Sequence, residues 1–238
     1  MNKIEKLQEL IDNSNYIVFF GGAGVSTASG IKDFRSKDGL YNMKYDYPPE
    51  QILSHSFFYN NTKEFYRFYI DKMNSTDKKP NSCHLYLTKL EKRKKLKAII
   101  TQNIDGLHQK AKSKNVFELH GSIYRNRCIK CNKFYDEKIV FESKDIPKCT
   151  CGGIIKPEVV LYEEPLDENT IMESIKHISN ADLLIVAGTS LTVYPASGFI
   201  NYFKGKNLVI INKMTTSFDN KADLVINEDI EKIFKNLK

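Results

Sequence analysis

A chain of 238 residues is long enough for one full domain with a sizeable core, plus a small second module. Its composition, 41% apolar and 27% charged, excludes a fibrous or disordered chain. No apolar run approaches the ~18 residues that a membrane span needs. Lys and Arg outnumber Asp and Glu by 36 to 29, a formal charge of +7, but the cations are scattered and mostly lysine. That distribution reads as solvated surface rather than a nucleic-acid patch.

In chain order, the opening MNKIEKLQELIDNSNY has charges through every apolar stretch and so predicts no signal peptide. Its Ile4, Leu7, Leu10 and Ile11 fall at helical spacing. A cytoplasmic chain is expected. Tyr16–Phe20 predicts a strand, followed at once by Gly21-Gly22-Ala23-Gly24. Aromatic helical patterns follow, with Phe57, Phe58, Phe65, Tyr66, Phe68 and Tyr69, interrupted by Pro48-Pro49 and Pro80. A helix over His84–Lys95 precedes a strand over Leu96–Ile100. From Arg125 to Lys156 the composition turns to cysteines, lysines and turn residues, marking a separate module. Beyond it come a strand around Val159–Tyr162, a helix around Glu168–Ser179, strands over Asp182–Ala187, Asn207–Ile211 and Asp223–Ile226, and a terminal helix. This alternation predicts an α/β fold, a parallel sheet with helices on both faces. Ligands bind beyond the carboxyl ends of such strands, where polar strings follow Phe20, Ile100, Ala187 and Ile211.

Gly22-Ala23-Gly24 provides the tight turn and close backbone approach that a pyrophosphate needs. Thr27 stands where a dinucleotide fingerprint would place its third glycine, and the glycine pair alone also suits any tight strand-to-helix turn. The continuation, Asp33-Phe34-Arg35, adds an acid, a ring and a guanidinium. These groups suit gripping a nicotinamide ring and a phosphate better than leaving the ring open for hydride transfer. Gln102-Asn103-Ile104-Asp105 sets amides and a carboxylate at a strand end, to meet a ligand or to cap the segment Gly106–Ala111. His120, in FELHGS, lies at the turn into the cysteine module, where a neutral imidazole would serve as general base. His55, His84, His108 and His177 read as structural.

Of five cysteines, Cys128-x-x-Cys131 and Cys149-x-Cys151 form two close pairs at the interval of a ribbon-type zinc site. The second pair is one residue tighter than usual, and Gly152-Gly153 supplies the turn behind it. Four thiolates close a tetrahedral shell with no position for water, so the zinc is expected to be structural. Cys83 reads as a small buried residue.

In this order, GAGVSTASGIKDFR, TQNIDGLH, ELHGS, the cysteine pairs, PEVVLYEE, GTSLTVYPAS and VIIN resemble the sirtuin family of NAD-dependent protein-lysine deacylases. The resemblance covers nearly the whole chain and is strongest to the small bacterial members. It implies a Rossmann-type NAD-binding domain of residues 1–122 and 156–238, with a helical insertion at about 37–81 and a zinc module of residues 123–155. By resemblance, Gly22, Ala23, Gly24 and Thr27 meet NAD, Phe34 packs near the nicotinamide, and Asp33 and Arg35 hold the loop and phosphates. Gln102, Asn103, Ile104 and Asp105 form the nicotinamide pocket, with Asn103 and Asp105 catalytic beside His120, the general base. Gly188, Thr189, Ser190, Asn212 and Asp229 or Ile230 reach the adenosine side. An acyl-lysine peptide would add as a strand between Val159-Val160-Leu161-Tyr162 and a stretch with Val193 and Tyr194. The acyl oxygen would attack the ribose carbon that nicotinamide leaves. His120 would then help deprotonate a ribose hydroxyl, which attacks the acyl carbon, and water would later release free lysine, leaving nicotinamide and O-acyl-ADP-ribose as the other products.

Members that accept acidic acyl groups carry a Tyr and an Arg three residues apart. Here Tyr66 matches the first and Tyr69 replaces the second, so neutral acyl groups are expected, with Arg67 nearby. Glu163-Glu164 stands where many members have Gly-Glu and is expected to favour basic peptides. Protein ADP-ribosyl transfer is the alternative activity. A nucleic-acid-binding zinc ribbon resting on Tyr124, Arg125 and Arg127, and an NAD dehydrogenase, are further alternatives. No membrane partner is expected, and the oligomeric state stays open.

Overall fold

The computed structural model describes residues 2–34, 39–40 and 45–238. Helix α1 (Lys3–Asn13) opens on a capping box: the Asn2 side chain accepts from the Glu5 N–H, and the Glu5 carboxylate accepts from the Asn2 N–H. Strand β1 (Ile17–Gly21) follows, then an insertion of three helices, α2 (Pro49–Ile52), α3 (His55–Asn60) and α4 (Thr62–Met73). Next come α5 (Ser82–Lys92), β2 (Leu96–Thr101), α6 (Leu107–Lys110) and β3 (Val116–Glu118). A small module holds β4 (Gly121–Cys128), β5 (Phe134–Tyr135), α7 (Lys138–Phe141) and β6 (Ile155–Val159). The chain closes with α8 (Glu168–Asn180), β7 (Leu183–Ala187), β8 (Asn207–Ile211), β9 (Leu224–Ile226) and α9 (Ile230–Lys235).

Six strands pair in parallel in the order β3-β2-β1-β7-β8-β9. Side chains alternate across each strand, so one residue set faces each helical layer. Ile17, Phe19, Ile185 and Val209 pack with residues of α1, α5 and α9, whereas Val18, Phe20, Val186 and Ile210 pack with Ile178 of α8 and with Phe199 and Ile200. Each fully buried side chain of this kind stabilises the fold by about 1.5–3 kcal/mol. Among the described residues, no helix is long and apolar enough to cross a membrane.

The strand order reverses direction at β1: the chain continues to β2 on one side and returns as β7 on the other. The loops that leave β1 and β7 therefore bound a crevice at the carboxyl end of the sheet. They touch backbone to backbone. The Gly24 N–H donates to the Gly188 carbonyl at 2.8 Å. Gly188 has φ +61°, and a Cβ on Gly24 would stand 2.7 Å from its Cα. Side chains are excluded at both positions, whatever ligand lies above.

Two boundaries and one strand differ from the sequence expectation. Helix α5 begins at Ser82 because the Asn81 side chain caps it, accepting from the Cys83 N–H at 3.0 Å; it ends at Lys92, just before Lys94 turns to φ +61°. The strand expected around Val159–Tyr162 does not join the parallel sheet. Its forerunner, β6, alternates buried Ile155, Pro157 and Val159 with half-buried Lys156 and Glu158, and pairs antiparallel with β4 in a separate sheet of order β5-β4-β6. Beyond Val159 the backbone bonds to two different partners, Val160 N–H to the His120 carbonyl and Tyr162 N–H to the Leu53 carbonyl, each at 2.9 Å. Strand β3 is too short to show a pattern and pairs with β2 at the sheet edge. Phe58, Phe65, Tyr66 and Tyr69 of the insertion share a core with Ile123, Val140 and Val159 of the small module, and the Tyr66 hydroxyl donates to the Ile155 carbonyl.

Candidate active site

A cavity of about 560 Å³ occupies the crevice. The loop after β1 brings Gly22, Ala23, Gly24, Asp33 and Phe34 to it, and the string after β2 brings Gln102, Asn103, Ile104 and Asp105. The loop after β7 adds Gly188, Thr189, Ser190, Val193 and Tyr194, and the end of β8 adds Asn212. His120, Val159, Val160, Leu161 and Tyr162 line it from the small-module side, and the insertion contributes Leu53, Tyr69 and Met73. Most of the expected nucleotide and peptide residues thus share one cavity, although they come from six separate segments.

Three polar side chains form a buried cluster at its base. The Ser26 hydroxyl donates to Asp105 Oδ2 at 2.6 Å, and Asn103 Nδ2 donates to Ser26 Oγ at 3.0 Å. Asp105 Oδ1 accepts the Leu107 N–H at 2.9 Å, so this carboxylate both caps α6 and faces the cavity. Burial raises its pKa above the ordinary carboxylate value, against the lowering effect of the bonds from Ser26 and Leu107. A cationic group in the cavity would find a preformed anionic partner here.

His120 Nδ1 lies 2.9 Å from the Gln102 carbonyl oxygen. A carbonyl only accepts, so Nδ1 carries the proton and the lone pair of the neutral ring resides on Nε2. Burial pushes this imidazole below its ordinary value, partly offset by the bond to Gln102. The ring is therefore a neutral base at pH 7. Gln102 is itself fixed, since its Nε2 donates to Thr189 Oγ1 at 3.0 Å and links the loops after β2 and β7.

The four cysteine Sγ atoms lie within 4.8 Å of one another. Cys128 and Cys151 approach to 3.4 Å and Cys131 and Cys149 to 3.6 Å. Tetrahedral zinc with Zn–S of about 2.3 Å needs sulfurs about 3.8 Å apart, and the set fits. The Cys149 thiol is held down at about 5, first by the Cys151 backbone N–H and then by the Tyr135 hydroxyl, which donates to it at 3.0 Å. That favours the thiolate a metal requires. A Cβ on Gly153 would stand 2.6 Å from Cys128 Sγ, so the turn behind the pair needs glycine.

Three expected contacts lie elsewhere. The Thr27 hydroxyl donates back to the Gly24 carbonyl at 3.0 Å and stays outside the cavity lining; its neighbour Ser26, fully buried, is the residue that turns inward. Asp229 caps α9, accepting from the Glu231 N–H at 2.9 Å, and pairs with Lys213 at 2.9 Å. Ile230 is packed in the core of the parallel sheet. Arg35 falls outside the described residues. Sequence reasoning missed Ser26 because consecutive residues of a tight turn give no periodicity from which to choose the inward one. Two basic residues of the ribbon are engaged as well: Arg125 pairs with Glu118 at 2.6 Å and Arg127 with Glu158.

The Sir2 family model matches residues 22–195. The NAD-dependent protein deacetylase of Clostridium perfringens (strain 13 / Type A) is 63% identical over 236 residues, 98% of this chain and 97% of its own. A solved structure of Sir2 with p53 peptide and NAD+ is 39% identical with TM-score 0.88, covering 98% of this chain and 96% of that one. A Sir2 variant with deacetylated p53 peptide and 3'-O-acetyl ADP ribose is 38% identical with TM-score 0.91, at the same coverages. A match of this extent, over a cavity that gathers the glycine loop, the Asn103–Ser26–Asp105 cluster and His120, establishes that the chain belongs to the Sir2 family.

Proposed function

We propose that the protein is an NAD-dependent protein-lysine deacylase acting on neutral acyl groups, with zinc in a structural role. The observation that carries this reading is His120, whose proton is pinned on Nδ1 by the Gln102 carbonyl, leaving the lone pair on Nε2 of a ring that lines the shared cavity. NAD, as co-substrate, supplies a ribose carbon activated by a nicotinamide leaving group. Gly22, Ala23 and Gly24 would receive its phosphates, and Ser190 and Asn212 its adenosine end. Asn103 and Asp105, held by Ser26, would orient the nicotinamide end beneath Phe34. His120 Nε2 would take the proton of a ribose hydroxyl as that hydroxyl attacks the acyl carbon. The peptide would lie along Val159–Tyr162, with Val193 and Tyr194 opposite, held through backbone groups that tolerate many sequences.

Acyl preference follows from the insertion. Tyr69 lines the cavity with Phe34, Leu40 and Met73, whereas the Arg67 side chain is 75% exposed, beside Glu64, and outside the lining. The lining lysines Lys72 and Lys78 are already paired, with Asp71 at 2.6 Å and Asp77 at 3.0 Å, so neither offers a carboxylate at the end of an acyl chain a free cation. Gathering of four cysteines into a metal set, in place of disulfides, supports a cytoplasmic location. Mass spectrometry of an acetyl-lysine peptide with and without NAD tests the activity. NAD-dependent loss of acetyl matched by nicotinamide release is expected, and nicotinamide release with retained acetyl would favour ADP-ribosyl transfer. In the same assay acetyl should exceed succinyl in kcat/KM by at least about 100-fold, since an unpaired charge is costly to bury; equal values would overturn the neutral preference.

A further inference from the structure

Glu163 combines two features that the reaction does not require. It is a non-glycine residue with φ +74°, where an L side chain is strained, and it lies at the cavity rim just beyond Val159–Tyr162. Its carboxylate accepts two hydrogen bonds from the insertion: Oε2 from the Ser56 N–H at 2.9 Å and Oε1 from the Ser56 hydroxyl at 3.0 Å. The contacts around it bind the same two segments. The His55 N–H donates to the Tyr162 carbonyl and the Tyr162 N–H to the Leu53 carbonyl, each at 2.9 Å, and His55 Nδ1 lies 2.9 Å from Glu164 Oε1. Glu164 also pairs with Lys156 at 3.1 Å and accepts the Leu161 N–H at 3.0 Å. Both acids are thus engaged in holding the rim, which alters the expectation that they attract basic peptides.

We infer that Glu163 is a positioning residue for the protein substrate: it clamps the 160–164 rim to α3, so that the edge receiving the peptide is set before the peptide arrives. This rests on the deacylase reading for the site. A strained backbone persists only where its surroundings over-determine it, and the Ser56 bonds do so here. Pre-organisation of this kind lowers the ordering cost of binding, which appears in the peptide KM rather than in the chemical step.

Two full-length variants separate the clamp from simple charge. Glu163→Gly relieves the backbone but deletes the clamp; Glu163→Gln removes the charge but keeps an oxygen for Ser56. With an acetyl-lysine peptide, Glu163→Gly is expected to raise the peptide KM about fivefold, with kcat within about twofold and the NAD KM unchanged. Glu163→Gln should stay near the wild-type KM. An equal rise in both variants would overturn the clamp in favour of charge attraction, and an unchanged KM in Glu163→Gly would overturn it outright. Amide exchange over 160–164 provides a readout independent of turnover: it should quicken in Glu163→Gly and not in Glu163→Gln. Absence of deacylation by the wild-type protein would defeat the functional reading, whereas unaltered exchange in Glu163→Gly would defeat the clamp alone.

Discussion

Every residue of β1 and β7 is buried, and the parallel sheet packs large apolar side chains on both faces. In the small module β5 is two residues long, Phe134 is 50% exposed, and the buried cluster next to the thiolates consists of Cys128, Cys149 and Ile155. Apolar burial and the parallel backbone ladder hold the first region, and polar residues at its strand ends line the cavity. The second packs Ile123, Val140 and Val159 against the insertion but has few apolar side chains around its cysteines, which take structural duty there. His120 sits where the two meet, with its ring bonded to the β2 end and its carbonyl to Val160. The proposed chemistry therefore depends on both means of stabilisation at once.

The largest effect should come from the weaker region. Removing zinc with a chelator, or substituting Cys149→Ser, should speed amide exchange throughout residues 121–159 and abolish turnover, while amides of β1 and β7 stay protected. Equal loss of protection in both sheets would show one cooperative unit and break the contrast. Next in size, His120→Ala should lower kcat by about 10²–10⁴-fold with NAD affinity within about threefold, because it removes a general base from a scaffold that stays folded. Loss of NAD binding, measured by calorimetry, would mean that the ring also holds the junction together.

Acid should act on the better-packed region. The His84 and His108 rings lie tilted against each other in the interior, centroids 4.7 Å apart, and burial pushes His84 down to about 4 and His108 well below 6.5. The unfolded chain, with ordinary histidines, binds more protons below pH 6.5. Stability is therefore complete above pH 6.5 and lost as pH falls toward 4, by roughly 3 kcal/mol for His84. Urea midpoints for wild type and His84→Gln should converge across that window; parallel pH profiles would contradict this. The smallest effect is expected at Ser26→Ala, which leaves Asn103 Nδ2 and Asp105 Oδ2 without their shared partner. A loss of about 1–2 kcal/mol in stability and about tenfold in kcat/KM should follow, read by melting and steady-state kinetics.

Legibility in the sequence tracks the same division. Most strands of the parallel sheet stand out as apolar runs, since strands buried on both faces carry few polar interruptions; β3, three half-buried residues at the edge, does not. The cysteine spacing reveals the metal set because thiolate chemistry is local. Less legible was anything that depends on contacts between distant segments. Glu163 meets Ser56 across 107 positions, and neither residue carries a pattern that points to the other. Asp229, at the start of the last helix, pairs with Lys213 and caps α9, partners that its place in the sequence does not reveal.

The sequence by itself determined which segments become buried strands, which residues gather a metal, and which polar strings follow the strands, because each depends on side-chain type over a few neighbouring positions. Only the tertiary structure decided which of those polar groups converge. The reversal of strand order at β1 opens the crevice, and the contact of Gly24 with Gly188 brings its two walls together. Ser26 turns inward there in place of Thr27, and the pairing of β3 with β2, continued by the Leu119 N–H to the Thr101 carbonyl, carries His120 to the Gln102 carbonyl, setting its proton on Nδ1 and leaving its lone pair on Nε2.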